Sequence, residues 1–459
     1  MRRRPSLPRK LPWLRRTSTL DNPLWLASLR AMRSRTICFL LGVFALPLFA
    51  ANWPTWRGEN GLGVARETKL PLKWSATENV VWSVPLPERG NSTPVVWKDK
   101  VFVTQADGDR RTVMCFDRKS GKTLWQSGTS YGEKEETHET NPYCSASPVT
   151  DGERVIAWFG SAGAFAYDMN GKELWKLDLG KQTHTWGFAS SPVIHDDVCI
   201  MYFGPGERAF LLGLDKRSGK ELWRVKDPPI AKRPRTDGFR GQEDGIVGSF
   251  SSPILVEANG RTEVVMSYPQ LICAYDPKSG KELWRCDGLN ELLYGSPIAG
   301  DGVVVAMGGF LGTTVAVKAG GSGDVTGTHR LWRQERTKNR LGSGVIHEGH
   351  VYILNTPGVA ECIDLKTGKV VWEERVKGAG AKSESWSSMV LAGDRIYVLN
   401  QSGDTVVLKA NPKFEVLATN AIESELTNAS HAMSDGQIFI RTHKRLWCIG
   451  ETARTASLK

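Results

Sequence analysis

The chain has 459 residues, of which 40% are hydrophobic and 24% charged, so it is long enough for several ordinary domains or for one large repeat array. Its formal net charge of +11 is concentrated near the N-terminus, because residues 1–50 contain ten Lys and Arg residues and one acidic residue. The remaining sequence is nearly neutral and offers no broad basic surface to the phosphates of a nucleic acid, so we expect no nucleic-acid partner.

The first 50 residues are predicted to be an N-terminal leader with a secretory signal. The apolar run ICFLLGVFALPLFA (37–50) follows Arg33 and Arg35 and ends in alanine, which is the pattern of a signal peptide. The run is shorter than the roughly 20 residues that a membrane-spanning helix needs. Met32 lies just upstream and is an alternative start. We expect an exported protein, periplasmic or extracellular, with no membrane span and with residues 51–459 forming one domain.

A short hairpin sequence recurs along the rest of the chain. YDPKSGKELW ends at Trp284, and related stretches are FDRKSGKTLW, YDMNGKELW, LDKRSGKELW and IDLKTGKVVW. The Asp side chain is expected to cap a turn, the Gly to adopt a positive φ, and the Trp to begin the next strand. If the repeats form a ring, these hairpins lie at its outer rim and point away from one another, so they cannot converge on one ligand. We therefore assign these tryptophans to structural docking rather than to ligand binding. The docking set is Trp82, Trp125, Trp175, Trp223, Trp284, Trp332 and Trp372.

Five repeats open with small residues and a proline before an apolar strand, as in SASPV (145–149) and YGSPI (294–298), and three weaker copies without proline follow in LGSGVI (341–346), WSSMV (386–390) and SHAMS (430–434). A second strand follows, a third ends at the turn aspartate, and a fourth carries the tryptophan. Four short strands with a period of about 40–50 residues are typical of a β-propeller blade. Eight strand starts predict an all-β, eight-bladed propeller of four-stranded antiparallel blades. The last blade, near 428–450, lacks a fourth strand, and NVVWSV (79–84) is predicted to complete it from the N-terminus and close the ring.

Seven cysteines follow the leader, an odd number that cannot all pair within the chain. Cys115, Cys362 and Cys448 occupy one repeat position, where other copies have alanine or glycine. We expect a small buried site with unpaired thiols there, since corresponding positions in successive repeats lie too far apart for a disulfide. The pairing of the other four cysteines stays open.

Connections from the fourth strand of one blade to the first strand of the next share one face of the ring, and three of them are long: 128–143, 180–186 and 226–248. Binding residues tend to lie on such loops. We call this face of the ring, where the central opening lies, the funnel face. The candidate ligand-binding residues on it all lie shortly before an inner strand. They are His138, Asn141, Tyr143, His184, Trp186, Arg240, Glu243, Asp244, Tyr294, Arg340, Trp386 and His431.

The sequence assigns no catalytic residue and no metal site. Neither an H-x-x-x-H nor a C-x-x-C spacing is present. The Gly-rich stretch 318–330 lacks the G-K-[ST] ending of a phosphate-binding loop and is predicted to be a flexible outer turn that replaces a hairpin of the fifth blade.

The copies of D-x-x-[ST]-G-K-x-x-W resemble the tryptophan-docking motif of the PQQ-like (quinoprotein) β-propeller repeats over about 75–450. That superfamily includes quinoprotein alcohol dehydrogenases, the propeller lipoprotein of the outer-membrane barrel assembly machinery, and exported bacterial proteins without known activity. WPTWRGENGLG (53–63) is most similar to this last group. The dehydrogenases carry a vicinal cysteine pair, a calcium site and a tryptophan beneath the quinone, and this sequence has no Cys-Cys pair.

Three interpretations follow from these observations. The leading one is an exported, monomeric, non-catalytic binding or scaffold module that takes a protein, peptide or glycan at the funnel face and needs no cofactor. The second is an enzyme, either a PQQ- and calcium-dependent dehydrogenase or a hydrolase or lyase on a propeller platform. The third is a role in outer-membrane assembly, disfavoured because no cysteine for lipidation follows the predicted cleavage site.

Overall fold

A computed structural model describes residues 51–242, 245–335 and 338–451. The predicted leader, its apolar run and the alternative start at Met32 lie outside these residues. Within them the regular structure is almost all strand, with two short 3-10 turns at Glu59–Gly61 and Gly160–Ala162. No helix in these ranges has the length and apolar character needed to cross a membrane.

The N-terminal segment and the first three sheets contain fourteen strands. The segment contributes β1 (Val64–Ala65) and β2 (Val80–Pro85). Blade one consists of β3 (Val95–Trp97), β4 (Lys100–Asp107), β5 (Arg110–Asp117) and β6 (Thr123–Ser130). Blade two consists of β7 (Val149–Thr150), β8 (Arg154–Trp158), β9 (Ala164–Asp168) and β10 (Glu173–Leu177). Blade three consists of β11 (Val193–His195), β12 (Val198–Phe203), β13 (Phe210–Asp215) and β14 (Glu221–Lys226).

Blades four and five make up the middle of the chain. The short β15 (Gly248–Ser249) precedes blade four, which consists of β16 (Ile254–Ala258), β17 (Arg261–Tyr268), β18 (Leu271–Tyr275) and β19 (Glu282–Asp287). The short β20 (Leu292–Leu293) pairs with β15. Blade five consists of β21 (Ile298–Gly300), β22 (Val303–Met307), β23 (Thr313–Lys318) and, after an inserted β24 (Gly323–Asp324), β25 (Arg330–Glu335).

Three sheets complete the ring. Blade six consists of β26 (Val345–His347), β27 (His350–Asn355), β28 (Val359–Asp364) and β29 (Val370–Arg375). Blade seven consists of β30 (Val390–Ala392), β31 (Arg395–Leu399), β32 (Thr405–Lys409) and β33 (Val416–Asn420). Blade eight consists of β34 (Ala432–Ser434), β35 (Gln437–Arg441) and β36 (Arg445–Ile449), with β2 as its fourth strand.

The eight-bladed propeller and its closure by the N-terminal strand are confirmed. β2 pairs antiparallel with β36, and Trp82 lies opposite Cys448. The middle strands of the blades are buried on both faces, as in β12, because each sheet packs between two neighbours. The N-terminal β1 adds a parallel strand to the inner edge of blade seven by pairing with β30.

A ring of hydrogen bonds joins the inner strands of all eight blades. In each blade the backbone N–H of one Ser or Thr donates to the hydroxyl oxygen of the equivalent residue in the next blade, at 2.7–2.9 Å. The series closes because Ser430 donates to Thr93. The ring residues are Thr93, Ser147, Ser191, Ser252, Ser296, Ser343, Ser388 and Ser430. Each hydroxyl oxygen accepts from a buried backbone amide that has no partner within a strand. This explains why serine recurs at that position.

The docking tryptophans connect neighbouring blades at the outer rim. Trp175 Nε1 donates to Lys216 O at 3.0 Å, and the turn residue Gly219 of the next blade lies on its ring. A Cβ on Gly219 would come within 2.6 Å of the indole, and its φ is +72°, so both the contact and the backbone require glycine. The indoles of Trp82, Trp125, Trp223, Trp332 and Trp372 likewise donate to a carbonyl oxygen of the next blade.

The repeat position that accepts Cys, Ala or Gly lies directly opposite the tryptophan. Cys115 pairs with Trp125, and Gly213 pairs with Trp223, where a Cβ would lie 2.2 Å from the indole. In blade seven the tryptophan is replaced by Ala418, and the larger Val407 faces it. The seven cysteines of the described residues are buried and free. Burial raises the pKa of the Cys115 thiol to about 12, so it stays protonated and inert.

The Gly-rich stretch 318–330 corrects one expectation. It does replace the outer hairpin of blade five, but it is not a free turn, because β24 pairs in parallel with β19 of blade four and Val325 is buried. The stretch covers Trp284, which is fully buried and donates to Glu263 Oε2 at 2.7 Å within its own blade.

Candidate functional site

A cavity of about 280 Å³ lies on the propeller axis, at the face formed by the connections that lead into the inner strands. One position in each blade lines it, two residues before the hydroxyl of the hydrogen-bonded ring. These axial residues are Asn91, Ser145, Ala189, Phe250, Tyr294, Leu341, Trp386 and Asn428. Because side chains alternate along a strand, every second residue before the ring points to the axis.

The floor of the cavity combines ring hydroxyls with a tryptophan from the N-terminal segment. Ser191, Ser252, Ser388 and Ser430 line it together with Trp56. The segment around Trp56 crosses the propeller axis on the side of the ring opposite the loops. There it contacts residues that follow the ring hydroxyls by one to three positions in the sequence. The cavity is therefore closed at this end and open toward the loops.

Three contacts hold this crossing segment in place. Trp53 forms a backbone bridge with Val96 of blade one. The Arg57 guanidinium donates to Gly344 O at 2.6 Å and to Met389 O at 3.1 Å, in blades six and seven. Arg57 is completely buried, and burial lowers its pKa to about 9.

Aromatic rings form one wall of the cavity. The centroids of Trp186, Phe250 and Tyr294 lie 6.0–6.3 Å from one another, with Trp186 stacked on Phe250 at an interplanar angle of 28°. His184 packs edge-on against Phe250 from behind at 5.2 Å. Burial lowers the pKa of His184, so this imidazole is neutral near pH 7. Trp56 and Trp386 are two further half-buried aromatic residues on the cavity.

Amides form the other chemical component of the wall. Asn91 Nδ2 and Asn428 Nδ2 both donate to Thr140 O, at 2.8 and 3.1 Å. Asn141 Nδ2 donates to Trp186 O at 2.7 Å. Asn428 Oδ1 accepts from Gln401 Nε2, whereas Asn91 Oδ1 is buried and has no hydrogen-bond partner among the described residues. Asn91, a lining residue, thus has one unused acceptor whose orientation is fixed by the other end of its amide.

The lining carries almost no charge. Of the described residues that line the cavity, none is Lys, Arg, Asp or Glu, and the one imidazole belongs to His138. His138 Nδ1 lies 2.7 Å from the Thr140 hydroxyl oxygen and accepts from the Thr140 amide at 3.3 Å. This is a neutral site built from aromatic rings, amides and hydroxyls.

The cavity does not match the chemistry of PQQ and calcium. The quinone carries three carboxylates, and buried carboxylates need cationic partners, which the described lining does not supply. Calcium prefers carboxylate oxygens, and the described part of the chain holds no cluster of three or more His, Cys, Asp or Glu placed to bind a metal.

The structure brings five of the predicted site residues together on the cavity and places one directly behind it. His138, Asn141, Trp186, Tyr294 and Trp386 line it, and His184 packs behind the aromatic wall. Glu243 and Asp244 lie outside the described residues.

The remaining four predicted site residues lie elsewhere. Tyr143 donates its hydroxyl to Glu135 O at 2.8 Å. Arg240 is exposed and lies 3.9 Å from Glu335. Arg340 is buried against Glu361.

His431 is fully buried, with Nε2 2.8 Å from Thr405 Oγ1, and burial lowers its pKa to about 3. Arg340 and His431 lie one residue away from a position that faces the axis, so the alternation of the strand turns their side chains into the blades.

The lining residues that the sequence interpretation missed include Trp56, Asn91, Thr140, Phe250, Leu341 and Asn428. For most of them a signal existed, because they stand two residues before the recurring serine of each strand start. The position of Trp56 had no local signal, since it depends on the N-terminal segment crossing the channel.

Comparison with known proteins agrees with this architecture. The family model described as outer membrane protein assembly factor BamB matches residues 56–204 and 208–453. BamB of Yersinia pestis is 24% identical over 325 residues, which cover 66% of this chain and 76% of that protein.

Two solved structures share the fold. That of BamB from Moraxella catarrhalis has a TM-score of 0.56 and 15% identity, covering 81% of this chain and 97% of its own. That of quinohemoprotein alcohol dehydrogenase from Comamonas testosteroni has a TM-score of 0.62 and 14% identity, covering 88% and 81%. The fold is thus shared by proteins with different functions. Because the family model matches most of the chain, the chain belongs to the PQQ-like repeat propellers described as outer membrane protein assembly factor BamB.

Proposed function

We propose that the protein is an exported, non-catalytic binding module that holds a neutral ligand group in its axial cavity. The observation that supports this most is the convergence of eight equivalent axial residues, one from each blade, on a single cavity without charged side chains among its described lining. The cavity of about 280 Å³ is near the lower end of the range for small-molecule sites, which start at about 300 Å³. It suits one residue-sized group of a larger ligand.

The hydroxyls and the imidazole of the cavity favour binding over catalysis. Nucleophilic catalysis needs a hydroxyl or thiol within hydrogen-bond reach of a free base. The ring hydroxyls accept from neighbouring backbone amides, and His138 Nδ1 is already paired with the Thr140 hydroxyl and amide within one turn. The stretch GTSYG (128–132) matches the G-x-S-x-G pattern of serine hydrolases, but Ser130 ends a strand and no helix follows it.

Tryptophan fluorescence tests the proposed function directly, because Trp56, Trp186 and Trp386 line the cavity. Purified protein is titrated with neutral oligosaccharides, with peptides blocked at both ends, and with PQQ plus calcium. We expect saturable binding of at least one neutral ligand, its loss in Trp386→Ala, and its retention in Leu222→Ala, whose side chain is exposed at the outer rim. Retention of PQQ with reduction of a dye by alcohols, and no binding of any neutral ligand, would instead support a dehydrogenase.

The family match favours a second candidate, a protein-binding role in the assembly of outer-membrane proteins. The chain covers 76% and 86% of two BamB relatives, so it has most of the length of an assembly factor of that kind. Expression in a bacterial strain that lacks its own BamB tests this role. Restored levels of outer-membrane proteins by both the wild type and Trp386→Ala would support it and would place the relevant surface outside the cavity.

A further inference from the structure

We infer that the axial cavity is a carbohydrate-binding site that takes the neutral terminal sugar of a glycan, an inference that rests on the binding role proposed above. Three independent properties of the cavity point to this ligand class: its aromatic wall, its unused hydrogen-bond acceptor, and its closed and uncharged floor.

The aromatic wall fits the apolar face of a sugar ring. Trp186, Phe250 and Tyr294 form a continuous group with centroids 6.0–6.3 Å apart, and Trp56 and Trp386 add two more rings. A pyranose presents C–H groups on one face and hydroxyls at its edge. Aromatic rings contribute apolar contact and weak C–H interactions to such a face without requiring any charge.

The unused acceptor fits a hydroxyl at the edge of the sugar. Asn91 Oδ1 is buried and has no partner among the described residues, while Nδ2 of the same amide donates to Thr140 O at 2.8 Å. Rotation of the amide would break this bond, so Oδ1 is held in place as an acceptor. A buried acceptor without a partner is costly, and a ligand hydroxyl would remove that cost.

The closed floor argues against a continuous peptide strand as the occupant, and the uncharged lining argues against a free peptide terminus. Because Trp56 and the crossing segment close the far end, the cavity admits the end of a chain or a single side chain, but not a continuous strand. Both termini of an unmodified peptide are charged, and none of the described lining residues carries an opposite charge. The non-reducing end of a neutral glycan brings hydroxyls and no charge, so it matches the site better.

Calorimetric titration of the full chain identifies the ligand class. The probes are trisaccharides of glucose, mannose and N-acetylglucosamine, a galacturonic acid trisaccharide as the charged counterpart, and blocked tripeptides that contain Phe, Tyr or Leu. We expect at least one neutral trisaccharide to bind with one-to-one stoichiometry, and the charged trisaccharide to bind at least tenfold more weakly.

Two variants and a matched control locate the site. Asn91→Leu removes the unused acceptor and Ala189→Phe fills part of the cavity, and each should weaken binding of the neutral trisaccharide by about tenfold or more. Asn170→Leu, on an exposed turn, should leave the affinity unchanged. Circular dichroism melting curves establish whether each variant is folded. If Asn91→Leu does not fold, Ala189→Phe still tests the inference.

Each outcome decides the inference. Weakened binding in both cavity variants supports it. Binding of a blocked tripeptide without binding of any trisaccharide overturns the carbohydrate inference and leaves the proposed binding function intact. Unchanged trisaccharide affinity in both variants places the sugar elsewhere and overturns it as well. No binding by any neutral probe overturns both proposals.

Discussion

The outer rim and the axial wall of the propeller are each built from one position per blade, yet their sequences behave in opposite ways. At the rim, seven blades carry tryptophan, because six of the indoles donate to a carbonyl oxygen of the next blade and the seventh, Trp284, is covered by the Gly-rich stretch of the next blade. On the axis, the eight positions hold two Asn and one each of Ser, Ala, Phe, Tyr, Leu and Trp, because all eight face one shared space. Repetition therefore marks contacts between repeats, and divergence marks the place where the repeats act together.

The largest expected effect at the rim is the loss of Trp284. Trp284→Ala removes a fully buried indole and leaves Glu263 Oε2 with the Gly320 amide, at 3.3 Å, as its remaining donor, so the free energy of unfolding should fall by about 3–5 kcal/mol. Chemical denaturation measures the change. Leu222→Ala, at an exposed position one residue before another docking tryptophan, should change stability by less than about 0.5 kcal/mol. An equal effect of the two substitutions would contradict the docking role.

Glycine at the rim turn should come next. Gly219→Ala should cost about 2–4 kcal/mol, because a Cβ would collide with the Trp175 indole and the backbone has a φ of +72°. Gly108→Ala is the matched control, since its φ is +59° and its added Cβ meets open space. The control should lose only about 1–2 kcal/mol, so the difference between the two melting curves measures the indole contact.

The hydrogen-bonded ring near the axis should show an intermediate effect. Ser147→Ala removes the acceptor of the Thr93 amide, and a buried donor without a partner costs about 1–3 kcal/mol. Ser190→Ala changes a neighbouring buried serine whose Oγ has no partner among the described residues, so its stability should be nearly unchanged. If the two serines cost the same, the ring does not contribute to stability.

The smallest effect concerns the acid dependence of a rim turn. The Ser218 hydroxyl and amide donate to Asp215 and hold the pKa of this carboxyl below its usual range. A lowered folded-state pKa contributes stability above the unfolded value of about 3.9, and that stability is lost as the pH falls through the folded value. Ser218→Ala should therefore destabilise slightly at pH 7, and the difference from the wild type should narrow below about pH 4. A difference that is constant with pH would contradict this account.

The architecture was predictable because it follows from local rules that the sequence repeats. The eight recurring strand starts gave the blade count, the turn aspartate, glycine and tryptophan identified the docking hairpins, and the missing fourth strand near 428–450 indicated that β2 completes the ring. The insertion at 318–330 was recognisable as a departure from the hairpin. Its pairing with β19 was not, because that contact joins two blades and has no local pattern.

The candidate site was predictable only in part. Loop position identified Trp186 and Tyr294, but it could not separate Leu341, which faces the axis, from the adjacent Arg340, which is buried in a blade. That distinction depends on the register of each inner strand relative to the ring of hydroxyls. Counting two residues back from the recurring serine identifies the residue of each blade that faces the axis.

Completion of blade eight by β2 has a consequence for how the protein matures. β2, the first blade strand along the chain, can pair with β36 only after the other blade strands have been made, so we expect this contact of high sequence separation to form late in folding. A chain cut short before Arg445 would keep the first seven blades and yet leave β2 and β35 with unpaired edges, which invite association with other molecules. Closure of the ring would then depend on β36.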